Sequence, residues 1–159
     1  VCSWVAVPTS IPFTLQTFAV FAVLGLLGGR NGTIAIISYL LVGLVGVPVF
    51  SGFTAGPGVM LGTTGGYPTG FLFLGLSYWL IPSPLGPHLV AMALSMVIGL
   101  LLLYTFGTAW FLLVHLKTTG AVGLYSVLGW CVFPFVLPDL LKLSLALILI
   151  RRLGPHIRL

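Results

Sequence analysis

The sequence predicts an all-α integral membrane protein: a single domain, residues 1–159, folded as a bundle of six transmembrane helices of which the first is truncated. Hydrophobic residues make up 59% of the chain and charged residues 4%, and no soluble domain could bury so much apolar surface. The long apolar stretches lack the period-two alternation of barrel strands, which favours helices. Scattered basic residues, with a small C-terminal arginine cluster, suit contact with the lipid bilayer and do not indicate nucleic acid.

The first half of the chain predicts three helices and a loop. Residues 1–7 are apolar but too few to cross a hydrocarbon core about 30 Å thick, so we interpret them as the end of a truncated first helix. The runs 13–28 and 33–46 are the second and third helices, separated by Gly-Arg-Asn-Gly at 29–32. Residues 47–66 are rich in glycine and proline, which predicts a loop.

The second half predicts three more helices. Pro68 suits the first turn of a helix over 67–81. The uninterrupted apolar run 88–115 predicts the longest helix, and the last helix begins near Pro138 and ends at two arginines. The remaining segments are a tight connection, a turn and an interrupted apolar stretch: 82–87, 117–120 and 123–135.

The basic residues predict an orientation. Arg30 and the arginine pair at 151–152 fall on one side of a six-helix arrangement, which places both chain ends in the cytoplasm; Lys117 alone disagrees. Three segments then face outward, and every unusual motif lies in them: 8–16, 47–66 and 117–139. This coincidence predicts a ligand site that opens outward.

Asp139 is the only acidic residue in the chain, and Lys142 follows it by one helical turn. Such a pair shares one helix face. A charge near the bilayer centre costs about 2.5–3.5 kcal/mol on insertion scales, so these groups usually mark a site or a pathway. We also expect Asp139 to lie near the free N–H groups at the start of the last helix. The alternative is a structural clasp between helices.

Other polar and glycine-rich segments are weaker candidates. Thr64, Gly65 and Gly66 lead into the helix at Tyr67, and small residues there allow a ligand to approach the backbone. Gln16 stands at the mouth of the second helix, where capping is an equally good explanation. Aromatic side chains such as Tyr67 are either cavity walls or core.

Catalysis and metal binding are not predicted. The histidines are far apart and have no ligand-like spacing with cysteine or carboxylate. No nucleophile is accompanied by a base and an orienting group, and the glycine-rich loop lacks the Gly-Lys-Ser/Thr ending of a P-loop.

Four segments, in order and spacing, resemble the BioY family of biotin transporters: 12–17, 46–52, 62–67 and 134–142. The resemblance implies the substrate-binding S subunit of an energy-coupling factor (ECF) transporter in a bacterial or archaeal cytoplasmic membrane. It implies six helices, biotin bound at the outer side as the transported ligand, and no cofactor. It also implies a transmembrane coupling (T) subunit and two cytoplasmic ATPase subunits as partners.

The resemblance implies a set of substrate-binding residues. They are Asp139, Lys142, Tyr67, Thr64, Gly65, Gly66, Thr54, Phe53 and Gln16. A ureido ring offers N–H donors and a carbonyl acceptor, which suits Asp139 beside Lys142, although either end of biotin could meet Lys142. Two alternatives remain: an S subunit for another small carboxylated vitamin, and a structural subunit of a membrane complex.

Overall fold

The computed structural model describes residues 2–4, 6–7, 13–81, 89–118 and 123–157. Nearly all of these residues are helical, and the helices pack around a shared apolar core. The elements are β1 (Ala6–Val7), β2 (Phe13–Thr14), α1 (Gln16–Val45), a 3-10 turn (Ser51–Phe53), α2 (Pro57–Leu61), α3 (Gly66–Leu80), α4 (Leu89–Thr118), α5 (Leu124–Cys131) and α6 (Phe133–Ile157).

Helix α1 is a hairpin of two helical arms. Gly28 has φ 81° and ψ 169°, a conformation that essentially only glycine adopts, and it breaks the helix. The arms 16–27 and 29–45 then run antiparallel, since Gly32 packs on Leu24. The two helices predicted for this region are confirmed, but the connection is shorter than 29–32 because one glycine reverses the chain.

Helices α3 and α4 pack antiparallel and close together. Gly66 lies against Trp110 at one end, and Gly99 lies against Leu74 further along. The prediction of helices over 67–81 and 88–115 is confirmed with small shifts at the ends, since α4 extends to Thr118. The predicted connection at 82–87 lies outside the described residues, as does the end of the predicted turn at 117–120.

The last helix begins earlier than predicted. Helix α5 ends at Cys131, Val132 leaves helical geometry, and α6 starts at Phe133, so Pro138 lies inside the helix and not at its start. Proline removes one backbone donor, and neighbouring helices in a membrane bundle can compensate for that loss. Asp139 is therefore inside α6, and its expected position beside the helix's free N–H groups is wrong.

The prediction of a helix over residues 1–7 is also wrong for the residues described. Residues 2–4 form a turn, and β1 pairs antiparallel with β2. The Trp4 indole N–H donates to the carbonyl of Pro48 at 2.9 Å. An isolated helical turn is unstable, whereas the pairing of β1 with β2 supplies backbone hydrogen bonds to this segment.

The bundle has two distinct ends. The first arm of α1 and α6 run parallel, since Thr17 contacts Asp139 and Gly25 packs on Ile150. The hairpin tip and the end of α6 therefore lie together, opposite Asp139. The predicted loop 47–66 lies at the Asp139 end and contains the 3-10 turn and α2, so it is more structured than expected.

Apolar surface encloses the bundle, as membrane insertion requires. Of the described stretches, three are long and apolar enough to span a bilayer: Gln16–Val45, Leu89–Lys117 and Tyr125–Gly154. The first contains the Gly28 reversal. The protein is a multi-pass membrane protein, and the count of six spans stays a prediction.

Candidate functional site

A cavity of about 440 Å³ lies at one end of the bundle, within the size range of small-molecule sites. The first arm of α1, α3, α4 and α6 form its sides, and the segment from Phe50 to Thr64 covers it. Its lining residues are Thr14, Gln16, Thr17, Phe50, Ser51, Thr54, Gly58, Val59, Gly62, Thr63, Thr64, Tyr67, Pro68, Phe71, Leu103, Tyr104, Cys131, Phe135, Asp139 and Lys142.

Asp139 and Lys142 form a buried ion pair at the base of this cavity. The ammonium of Lys142 donates to Oδ1 of Asp139 at 2.8 Å. Lys142 is 5% exposed and Asp139 is 3% exposed. The helical spacing of the pair brings both charges to one face of α6. Each charge compensates the other, which lowers the cost of burying them away from water.

The pair is tied to the start of α1. The Lys142 ammonium also donates to the Thr14 carbonyl at 2.6 Å and to the Thr17 hydroxyl at 3.1 Å. Thr17 in turn donates to Oδ1 of Asp139 at 2.8 Å. These bonds join two helices, so the pair acts as a clasp in this structure, whether or not it also contacts a ligand.

Tyr104 completes the environment of the carboxylate. Its hydroxyl donates to Oδ2 of Asp139 at 2.6 Å, so the carboxylate accepts bonds from three residues. A carboxylate has about four lone-pair sites. Among the described residues only Tyr104 donates to Oδ2, which leaves this oxygen one acceptor position for an N–H or O–H donor of a bound molecule.

Aromatic and aliphatic side chains form the walls above this polar base. Phe50 is fully buried, packs on Gly43, and meets the ring of Tyr39 edge-on at 5.7 Å. Phe71 and Leu103 add apolar surface from α3 and α4. The cavity thus combines one charged pole with apolar sides, an arrangement that suits a small amphipathic ligand.

Two hydroxyls that belong to lining residues lack a hydrogen-bond partner of good geometry among the described residues. They belong to Ser51 and Tyr67, whose side chains are partly exposed but whose hydroxyl oxygens are buried. Cys131 and Thr108 lie beside the Tyr67 hydroxyl. A buried polar atom without a partner is costly, and a ligand that supplies one recovers that cost.

Six of the nine residues predicted from the sequence line the cavity: Gln16, Thr54, Thr64, Tyr67, Asp139 and Lys142. Gln16 also supports the cavity indirectly. Its amide donates to the Tyr39 hydroxyl at 2.8 Å, and that hydroxyl donates to the Val49 carbonyl at 2.9 Å. These two hydrogen bonds hold Val49, which directly precedes the covering segment, against α1.

Gly65, Gly66 and Phe53 do not line the cavity. A Cβ on Gly65 would strike the Met60 carbonyl, and one on Gly66 would strike Trp110, so both glycines serve close packing. Phe53 is 61% exposed and stacks on Trp4 with ring centroids 4.6 Å apart. It lies on the outer side of the covering segment, which sequence pattern could not indicate.

Sequence reasoning missed Thr17 and Tyr104 as partners of Asp139. Thr17 falls in the first motif, 12–17, so the motif contained a signal for it. Tyr104 lies in the apolar run of α4, 35 residues before Asp139, and only the packing of α4 against α6 reveals its role.

Comparison with known proteins identifies the family of the chain. The BioY family model matches residues 1–158. The chain belongs to the BioY family. It is 36% identical over 156 residues to the biotin transporter BioY of Thermotoga maritima, covering 95% of this chain and 86% of that protein. It is 37% identical over 150 residues to biotin transporter BioY2 of Lactococcus lactis subsp. cremoris, covering 93% of this chain and 79% of that protein.

The fold also has a counterpart among solved structures. The crystal structure of the S-component for biotin from an ECF-type ABC transporter matches with a TM-score of 0.82 and 24% identity. The match covers 96% of this chain and 82% of the other. The similarity shows a shared fold, and the resemblance to the BioY family is confirmed.

Proposed function

We propose that this protein is the biotin-binding S subunit of an ECF-type transporter and takes part in biotin uptake. The observation that carries the proposal is the cavity with Asp139 and Lys142 at its base, in a chain of the BioY family. The relatives named above are biotin transporters, and the structural counterpart is an S-component for biotin.

The chemistry of the cavity suits the ureido end of biotin at Asp139. The open acceptor position on Oδ2 can receive a ureido N–H. The Lys142 ammonium uses its three N–H donors on Thr14, Thr17 and Asp139, so it would donate to the ureido carbonyl in exchange for one of those bonds. An ionised valerate carboxylate has no donor and would be repelled by Asp139. The apolar walls then surround the fused rings and the aliphatic chain.

The valerate carboxylate would lie toward the covering segment. Thr54, Thr63 and Thr64 place neutral hydroxyl-bearing side chains along that part of the lining. The unpartnered hydroxyl of Ser51 is on the same segment. These hydroxyls can donate to a carboxylate without the cost of burying a second charged residue, and Thr54 can do so in exchange for its bond to the Ser51 carbonyl.

Transport would depend on partners. The chain has no nucleotide-hydrolysing motif, so uptake energy would come from two cytoplasmic ATPase subunits through a transmembrane coupling subunit. With Arg30, Arg151 and Arg152 at one end of the bundle, the positive-inside rule favours that end as cytoplasmic. The cavity would then open to the outside of the cytoplasmic membrane, with both chain ends inside.

Competition binding tests this function. Purified protein is incubated with radiolabelled biotin and increasing unlabelled biotin, lipoate or thiamine. We expect biotin alone to displace the label at stoichiometric concentration. Displacement by lipoate with equal potency would indicate an S subunit for a different carboxylated vitamin, and no saturable binding would favour the structural subunit.

A further inference from the structure

Three arginines lie toward the end of the bundle opposite the cavity. Arg30 is exposed next to the tip of the α1 hairpin, and Arg151 and Arg152 are exposed near the end of α6. The packing of Gly25 on Ile150 brings the hairpin tip level with this part of α6. The fold therefore places at one end of the bundle three exposed basic residues, called here the arginine patch, from parts of the chain more than a hundred positions apart.

No Asp or Glu side chain of this chain can neutralise the patch. Asp139 is the only acidic residue of the 159, and it pairs with Lys142 at the other end of the bundle. The planar guanidinium group favours oxyanions that accept two hydrogen bonds from it, such as phosphate and carboxylate. An anionic molecule from outside the chain can therefore supply a counter-charge that no Asp or Glu side chain supplies.

The surroundings of the patch favour a lipid over a protein as that molecule. Exposed apolar side chains approach it from each element, namely Leu27, Leu80 and Leu153. Trp79 is half-exposed and packs on Gly29 beside the hairpin tip. A tryptophan and arginines at the border of an apolar surface are typical of the depth at which lipid headgroups lie.

We infer that Arg30, Arg151 and Arg152 form a binding site for the headgroup phosphate of anionic phospholipids. The two elements would hold the phosphate from both sides while the acyl chains cover the adjoining leucines. This goes beyond the proposed function, since it does not involve the cavity or biotin. It assigns a second, lipid-selective site at the opposite end of the protein.

Native mass spectrometry of the detergent-solubilised full chain tests the inference. Phosphatidylglycerol and phosphatidylcholine with identical acyl chains are titrated separately. We expect phosphatidylglycerol to bind at least about tenfold more tightly, since each basic residue near an anionic surface contributes about a fivefold gain. Equal affinity for the two lipids would overturn the inference.

Variants locate the site. Arg30→Gln and the double change Arg151→Gln/Arg152→Gln should each remove part of the preference for phosphatidylglycerol, because both elements hold the phosphate. Lys117→Gln removes one cation near the end of α4, on the cavity side, and should leave the preference unchanged. An equal loss in Lys117→Gln would mean that net charge, and not this patch, selects the lipid.

Further measurements distinguish a lipid ligand from a protein partner, and a loss of folding from a loss of lipid binding. Saturable biotin binding by each arginine variant would show that it is folded. If Arg30→Gln does not fold, Arg30→Lys replaces it: lysine keeps the charge but cannot make two parallel hydrogen bonds to one phosphate, so the preference should fall. An unchanged preference would mean that charge alone selects the lipid, which overturns the inference. If wild-type protein shows no lipid preference while the arginine variants lose association with the coupling subunit, the patch serves a protein partner and the lipid assignment is wrong.

Discussion

A single carboxylate organises the base of the cavity. Asp139 accepts hydrogen bonds from Lys142, Thr17 and Tyr104, which come from three parts of the chain. The sequence predicted the Asp139–Lys142 pair because two charges in an apolar helix are costly and must have a reason. It could not predict Tyr104, whose contact depends on the packing of α4.

The first prediction separates a ligand role from a clasp role for this pair. Asp139→Asn and Lys142→Met should each weaken biotin binding by about 1.5–3 kcal/mol, the worth of a charge-assisted hydrogen bond. This corresponds to a loss of about 10- to 150-fold in affinity. Biotin affinity is measured by calorimetry and stability by melting temperature in detergent.

The double variant Asp139→Asn/Lys142→Met is the control for this experiment. If the pair is only a clasp, each single change strands a buried charge and lowers the melting temperature, and the double variant recovers stability. Unchanged biotin affinity in folded single variants would show that the pair is structural and that the ligand binds elsewhere.

The second prediction concerns the Tyr67 hydroxyl, which lacks a partner of good geometry in the described part of the protein. Tyr67→Phe should weaken biotin binding by about five- to tenfold, since an uncharged hydrogen bond contributes about 1 kcal/mol. The ligand-free protein should melt at the same or a higher temperature, because no good bond is lost. Tyr125→Phe, at an 86% exposed tyrosine, is the matched control and should change neither quantity. A stability loss with unchanged affinity would contradict a ligand contact.

At the scale of elements, glycines determine how closely the helices approach and where the chain reverses. The sequence predicted two helices in residues 13–46, and α1 has two arms. The point of reversal was missed by one residue, since the run of glycine and polar residues over 28–33 gave no reason to prefer Gly28. Gly65 and Gly66 were interpreted as ligand-approach glycines; they pack on Met60 and Trp110 and do not line the cavity, and a ligand contact at them stays a prediction.

The third prediction tests the hairpin at Gly28. A Cβ there would meet no atom within 4 Å, so Gly28→Ala acts through the backbone alone. A conformation with φ 81° and ψ 169° costs a non-glycine residue about 1–3 kcal/mol. We expect a lower melting temperature in detergent.

The control for this change is Gly129→Ala in the interior of α5. A Cβ at Gly129 also meets nothing within 4 Å, and Gly129 has no positive φ. This variant should be no less stable than wild type. An equal loss in the two variants would show that the effect does not come from the reversed backbone.

At the scale of the whole molecule, the cavity and the arginine patch occupy opposite ends. The sequence predicted that Arg30 and the arginines at 151–152 share a side, and the parallel packing of the first α1 arm on α6 agrees. The pairing of β1 with β2 was not predicted from the sequence. It depends on backbone contacts between two-residue strands, which leave no hydrophobic pattern in the sequence.

The fourth prediction tests the orientation of these two ends. Single cysteines are placed at Thr54, on the cavity side, and at Asn31, beside the hairpin tip, in a background without Cys2 and Cys131. Both positions are exposed. In whole cells an impermeant thiol reagent should label the first and spare the second, because we propose from the positive-inside rule that the arginine end is cytoplasmic. The reverse labelling would invert the topology.

The position of bound biotin tests directly whether the cavity at Asp139 is the biotin-binding site. A structure determined with biotin should show the ligand in the cavity of about 440 Å³, with a ureido nitrogen about 3 Å from Oδ2 of Asp139. A second cavity of about 320 Å³ lies between the α1 arms, lined by Ala19, Ile36 and Tyr39 among others. Biotin found there, or found with its carboxylate against Asp139, would contradict the proposed site.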